Sequence, residues 1–278
     1  VILESVPNFS EGRKPKTVRA IAAAMGDCVL DYSLDRDHHR SVITAAAAPQ
    51  DLLRAVFDGA AKAVELIDLR DHQGVHPRSG ALDVLPFIPL DDASMDDCVE
   101  VAREAGERLW EELRLPVYLY EDAAQTPSRR SLAQLRKEIR SNPSALPDIG
   151  DPTPHPTAGV AIVGARFFLI AFNVNLDSND VVIAKTVATA VRRLPGVRAL
   201  GLYLESSKTA QVSMNLIDYR QTGIAAAFDA VTYHARQLGI RVRNSELIGL
   251  APSPALTPEI AVHVRLRSFS PRMILPLK

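Results

Sequence analysis

The chain has few cysteines, few aromatics, no excess of charge of either sign and no long apolar run, and each scarcity excludes something. Cys28 and Cys98 are its only two cysteines, so no thiolate metal framework and no disulfide scaffold is to be expected, and both read as small hydrophobes in a reducing cytoplasm. Lys plus Arg number 32 against 33 for Asp plus Glu, a balance that gives no reason to expect a nucleic-acid or membrane-surface partner. No apolar run approaches the ~20 residues of a membrane helix. The amino end, VILESVPNFSEGR, turns polar too soon for a signal-peptide core, which places the protein in the cytoplasm.

What is present is apolar material in quantity. Hydrophobic residues make up 47% of 278 residues, with mean hydropathy +0.01, enough to fill two cores at ~150 residues each. Ile2 to Val6 reads as a strand broken by Pro7 and a polar loop, Pro15 opens a helix that Gly26 ends, and two strands (28–34 and 41–47) flank DRDHHR. A helix follows over 51–67, with Leu52, Val56, Ala60, Ala63 and Ile67 on one side. Residues 81–88 predict a strand, 95–113 a helix capped by Ser94 with Asp97 three residues on, 117–120 a short strand and 129–139 a polar helix. The stretch SNPSALPDIGDPTPHPTAG (141–159) reads as a linker.

Beyond it the order returns in outline. Residues 160–164 and 167–174 predict paired strands, 180–193 a helix, 198–205 and 210–218 two strands, 222–238 a helix and 241–250 a last strand. The fold class is therefore α/β (α+β): two subdomains, 1–150 and 157–278, each a mixed sheet with helices mainly on one face. The halves show no sequence repeat.

Chemistry concentrates in QGVHPRSGALDVLPF (73–87). Pro77 pushes His76 toward extended backbone, and Gly74 and Gly80 allow sharp turns on either side. His72 and His76 have the spacing of a helical metal pair, but Gly74 and Pro77 argue against that helix, and no further ligand has diagnostic spacing. No metal is expected. His76 presented from a loop suits a general acid/base, since an imidazole titrates near neutral pH. Arg78 suits a bidentate carboxylate clamp. The other reading is a surface loop in which His76 caps a turn and Arg78 is solvated.

Several segments resemble the glutamate formiminotransferase family, in family order: ESVPNFSEGR (4–13), DHHRSV (37–42), GVHPRSGALDVLPFIP (74–89), VYLY (117–120), HPTAG (155–159), GAR with LIAFNVN (164–166, 169–175) and AQVSMN (210–215). The resemblance implies two α/β subdomains with folate in the cleft between them. It also implies a homodimer and transfer of a formimino group from N-formimino-L-glutamate to N5 of tetrahydrofolate, the co-substrate. His76 corresponds to the family's catalytic histidine. Arg40, Arg78 and Arg166 are the candidates for substrate carboxylates, and Asn8, His38, Asn173, Gln211 and Asn215 for further substrate or folate contacts. Val75 and Ser79 stand where the family has an acid and a methionine. A formyl-transferring relative and a folate-binding paralogue without turnover both fit the same segments.

Overall fold

The computed structural model describes residues 1–73, 78–90, 92–142 and 145–275. The chain forms two compact units, Val1–Arg166 and Phe167–Lys278.

In the first unit, β1 (Ile2–Ser5) and β2 (Asn8–Phe9) are the halves of one strand interrupted at Val6 and Pro7. There follow α1 (Pro15–Met25), β3 (Val29–Asp35), β4 (Arg40–Ala47), α2 (Pro49–Leu66), β5 (Leu82–Leu90), α3 (Met95–Leu113), β6 (Val117–Glu121), α4 (Leu132–Ser141) and β7 (Ala161–Ala165). Across the sheet the order is β3, β4, β1/β2, β5, β7, β6. Pairing is antiparallel as far as β5 and parallel from β5 through β7 to β6.

The helices form for local reasons and bury one stripe. Pro15 opens α1, Val18, Ile21, Ala22 and Met25 are buried at helical spacing, and the chain leaves through Gly26 at φ 69°. Ser94 and Asp97 close a capping box on α3: Asp97 N–H donates to Ser94 Oγ (3.1 Å) and Ser94 N–H to Asp97 Oδ2 (2.7 Å). Such a cap contributes about 1 kcal/mol. Leu3, Ile43, Ala45, Leu85, Phe87, Leu119 and Val163 point from the sheet into one core with residues of α1, α2 and α3. Cys98 is fully buried there, and burial pushes its thiol up to about 12, so it is an inert hydrophobe.

Alternation sends Glu4, Arg40, Thr44, Tyr118 and Tyr120 to the opposite face. There α4 packs through Leu135 against Val84, Tyr118, Tyr120 and Ile162, Tyr118 Oη donates to Ala145 O (2.8 Å) and the Arg129 guanidinium lies 5.3 Å from the Tyr118 ring centre.

The second unit holds β8 (Ile170–Leu176), α5 (Val181–Val191), β9 (Val197–Leu204), β10 (Thr209–Leu216), α6 (Ile224–Gln237) and β11 (Val242–Ile248). Its sheet runs β11, β8, β10, β9. A small appendage adds β12 (Ala251–Pro252), α7 (Pro258–His263) and β13 (Ile274–Leu275), with β12 and β13 paired in parallel.

Three expectations are corrected. The second sheet is antiparallel throughout rather than mixed. The strands expected to pair at 160–164 and 167–174 lie in different sheets: β7 inserts between β5 and β6 of the first unit, while β8 belongs to the second. The 141–159 segment is accordingly no interdomain linker, and the first unit reaches Arg166 rather than residue 150. That segment is tied to β6 by Val117 N–H to Ile149 O (2.9 Å) and Asp148 N–H to Val117 O (2.9 Å).

Topology also shows what the residues hid. β8–α5–β9–β10–α6–β11 is a split βαβ unit, and β1/β2–α1–β3–β4–α2–β5 has the same connections and the same relative strand order. The chain carries one topology twice, extended in the first unit by α3, β6, α4 and β7. Among the described residues no helix is long and apolar enough to cross a membrane.

Candidate functional site

His76 lies outside the described residues, as do Gly74, Val75 and Pro77, so its setting is read from the flanks of its loop. On the exit side the chain is fixed on both edges. Ser10 Oγ donates to Gly80 O (2.7 Å), Val160 N–H to Ser79 O (3.0 Å) and Ala81 N–H to Ala158 O (2.8 Å). A Cβ on Gly80 would fall 2.0 Å from Val160 O, so this close backbone approach admits only glycine.

On the entry side two histidines brace the loop. His39 occupies the turn between β3 and β4 at φ 52°, and its Nδ1 accepts from Gly12 N–H (3.2 Å). That bond places the ring proton on Nε2. His72 lies over it with ring centroids 3.9 Å apart, and His72 Nε2 donates to His39 O (3.1 Å). Arg78 Nη2 then donates to His72 O (2.8 Å), linking entry to exit. Burial lowers the pKa of both imidazoles, reinforced at His72 by His39 and Arg78, so both are neutral at pH 7. His38 turns the other way: its Nδ1 meets Asp35 Oδ2 at 2.7 Å and its N–H donates to Asp35 Oδ1 (2.8 Å). Burial acts to raise the Asp35 carboxyl, but these His38 bonds hold it below its ordinary value.

Next to Ser79 sits Asp83, only 1% exposed. Asn8 pairs with Val84 but Phe9 with Leu82, so Asp83 is the extra residue of a β-bulge, which re-aims its side chain. It faces α4 and β4: Arg136 Nη2 donates to Asp83 Oδ2 and Arg40 Nη2 lies 3.7 Å from the same oxygen. Ser79 N–H donates to Oδ1 (2.7 Å), which anchors the histidine loop to this charge cluster. Burial lowers Arg40 to about 10 against the pull of Asp83, and it remains a cation at neutral pH. Burial also lowers Arg78, with Asp83 again opposing.

Farther along the same face, Glu4 of β1 is 1% exposed between Ala46 and Ile88. Burial raises its carboxyl to about 7 and the nearby Arg166 restrains the rise. Tyr120 is 2% exposed; burial raises its hydroxyl, and Arg166 again acts in the opposite sense. Arg166 therefore serves two buried acids at the end of β7. A carboxyl raised above its unfolded value of 4.5 contributes stability that is complete below that pH and lost as pH climbs through about 7. Glu4→Gln is expected to be more stable than the wild type at pH 8 by on the order of 1–3 kcal/mol and nearly equal to it at pH 4.5. Urea unfolding of both proteins at the two pH values checks this; an equal difference at both would rule out titration of Glu4.

In the second unit the polar candidates line one sheet face. Ile170, Phe172, Val174 and Leu176 alternate with Ala171, Asn173 and Asn175, as Val212 and Met214 do with Gln211 and Ser213. A Cβ on Gly201, the partner of Val212, would meet Lys185 N at 2.2 Å, which sets α5 on the apolar side. Asn173 and Gln211 are thus brought to the face opposite α5, at 7% and 1% exposure. Asn215 shares that face and is exposed. Asn175 Nδ2 donates to Asn244 Oδ1 (2.8 Å) and Glu246 Oε1 (2.9 Å), and Gln211 Nε2 donates to Asn175 Oδ1 (2.9 Å). Asn8, by contrast, spends its amide locally on Val6 O (2.8 Å).

Sequence reasoning missed Glu4, Asp83, Arg136, Asn175, Asn244 and Glu246. Asp83 and Asn175 did leave a signal, each being polar within an apolar strand.

Comparison with known proteins settles the family. The profile of the "Formiminotransferase domain, N-terminal subdomain" matches residues 2–166, and that of the "Formiminotransferase domain" matches residues 171–267. The chain belongs to the formiminotransferase domain family. The two matched stretches meet where the two units do. A glutamate formimidoyltransferase of Streptococcus pyogenes serotype M1 is 40% identical over 283 residues, covering 96% of this chain and 95% of that protein. Another, of Thermoplasma acidophilum, is 40% identical over 294 residues, covering 100% and 97%. The formimidoyltransferase-cyclodeaminase of Sus scrofa is 40% identical over 283 residues, covering 94% of this chain but 52% of its own length.

Proposed function

We propose that this protein transfers the formimino group of N-formimino-L-glutamate to N5 of tetrahydrofolate, giving 5-formiminotetrahydrofolate and L-glutamate. The observation that carries the reading is 40% identity over nearly the whole length of two glutamate formimidoyltransferases. N5 attacks the amidine carbon, and the tetrahedral intermediate expels the glutamate amine. Attack leaves a proton on N5 that must go, and the departing amine needs one. His76 takes the first and returns it to the second, a role worth ~10²- to 10⁴-fold in rate.

The bracing histidines support that assignment. His39 Nδ1 accepts from Gly12 N–H and His72 Nε2 donates to His39 O, which ties these two rings into the flanks of the loop, and the proton transfer is assigned to His76. Arg78 stands at the loop exit as the cation nearest in sequence for a substrate carboxylate, and Arg40 and Arg166 add positive charge on the face of the first sheet that carries α4. Asn8, His38, Asn173, Gln211 and Asn215 are proposed as further substrate or folate contacts. A cytoplasmic homodimer that acts on small molecules alone, without a metal, completes the reading.

The test is direct. Purified protein given N-formimino-L-glutamate and tetrahydrofolate should build the absorbance of 5-formiminotetrahydrofolate and release glutamate in equal amount. Folate binding without either product would identify a non-catalytic paralogue instead.

A further inference from the structure

A hydrogen-bond chain crosses three strands of the second sheet, and one end of it fixes the polarity of the rest. An ionised carboxylate can only accept hydrogen bonds. Glu246 Oε1, on β11, accepts from Asn175 Nδ2 at 2.9 Å and from Arg267 Nη1 at 3.3 Å. The Asn175 amide must therefore turn its NH₂ toward β11, where it also meets Asn244 Oδ1 at 2.8 Å. Its Oδ1 then faces β10, and only the NH₂ of Gln211 can satisfy it, at 2.9 Å. Flipping either amide would set oxygen against oxygen or NH₂ against NH₂. The orientation is thus dictated by chemistry, link by link from Glu246.

The outcome is that Gln211 is left with Oε1 pointing onward. This atom is buried and has no hydrogen-bond partner among the described residues, and Gln211 as a whole is 1% exposed. A buried acceptor without a donor costs ~1–3 kcal/mol, and such atoms are rare in native folds unless a ligand or water meets them.

We propose that Glu246 and Asn175 are positioning residues that hold Gln211 Oε1 toward an N–H of the bound substrate, specifically a donor on a planar N–C=N group. This deepens the transfer reading and rests on it, because both reactants carry such a group: the formimino amidine and the aminopyrimidine edge of the pterin. A formyl group presents an oxygen at the equivalent position and leaves Gln211 Oε1 unmet.

Gln211→Met keeps the length of the side chain and removes its acceptor, and Glu246→Met releases the start of the chain. Two constants are measured in the full-length protein: Kd for tetrahydrofolate by calorimetry and KM for N-formimino-L-glutamate. One of them is expected to rise about 10-fold in Gln211→Met. A rise in KM assigns the donor to the formimino group, and a rise in Kd assigns it to the pterin. The same constant rises less in Glu246→Met, and the double variant is no worse than Gln211→Met alone. A purely structural role would lower Tm without moving one constant selectively.

Both constants within twofold of wild type in both variants would overturn the proposal and leave Oε1 to a water molecule. Should Gln211→Met fail to fold, Glu246→Met carries the decision, since its side chain is 28% exposed. A wild type that binds folate without turnover refutes the transfer reading alone, and Kd still decides on Gln211. A wild type that neither binds nor turns over removes both.

Discussion

Asp83→Ala is expected to lower the stability of the first unit by about 3–5 kcal/mol, the usual consequence of removing one partner from a buried ion pair. Asp83 is 1% exposed and both Arg136 and Arg40 face its Oδ2, so its removal takes the carboxylate away from Arg40 and from the Arg136 guanidinium, whose side chain is 7% exposed. The same change removes the acceptor of Ser79 N–H and loosens the exit of the histidine loop. Asp83→Asn separates the two effects, because an amide oxygen still accepts from Ser79 while the charge is gone. Chemical denaturation monitored by circular dichroism gives the numbers; a loss under ~1 kcal/mol for Asp83→Ala would mean that the arginines are stabilised elsewhere.

His76→Ala is expected to lower kcat at least ~100-fold while tetrahydrofolate binding stays within a few-fold of wild type. The split matters more than the size of the loss. A proton-transfer group acts between ground state and transition state, so its removal falls on kcat, whereas a histidine that merely packs against the pterin would raise Kd and spare turnover. Steady-state rates beside a binding titration distinguish the two, and a kcat within ~3-fold of wild type removes His76 from the chemistry. His39→Ala and His72→Ala are useful neighbours for comparison, since each breaks a brace of the loop rather than the proton path.

Much of the local structure was legible because it has local causes. The Ser94–Asp97 capping box, Pro15 at the start of α1 and Gly26 at its end sit where their chemistry demands, and the apolar stripe of α2 follows its period. Long-range pairing was not legible. AIVGA, the body of β7, is apolar on both faces, as a strand in a parallel sheet must be, and nothing in those residues says which sheet receives it. The proline-rich stretch before it reads as a linker because proline disrupts regular elements, yet its backbone groups bond to β6 and to its own turn, where His155 Nδ1 accepts from Ala158 N–H (3.1 Å).

The site divides in the same way. The peculiar composition of the His76 loop announced itself, with a histidine next to proline and glycines on either side. Its supports did not: the bulge that turns Asp83 toward Arg136 depends on pairing with β2, across a separation of over 70 residues. Asn173 and Asn215 stood out as polar residues inside apolar strands, although of the two only Asn173 is buried. Glu246 gave no such signal, because an acid near the end of a strand is ordinary until Asn175 is found beside it.

The central claim is formimino transfer, and the most direct measurement compares donors. Wild-type protein with saturating tetrahydrofolate is given N-formimino-L-glutamate or N-formyl-L-glutamate, and kcat/KM is determined for each. The account predicts turnover of the formimino donor with kcat/KM at least ~100-fold above that of the formyl donor, as for a site whose buried polar groups require the substrate's N–H. Equal rates, a preference for the formyl donor, or no transfer from either would contradict it.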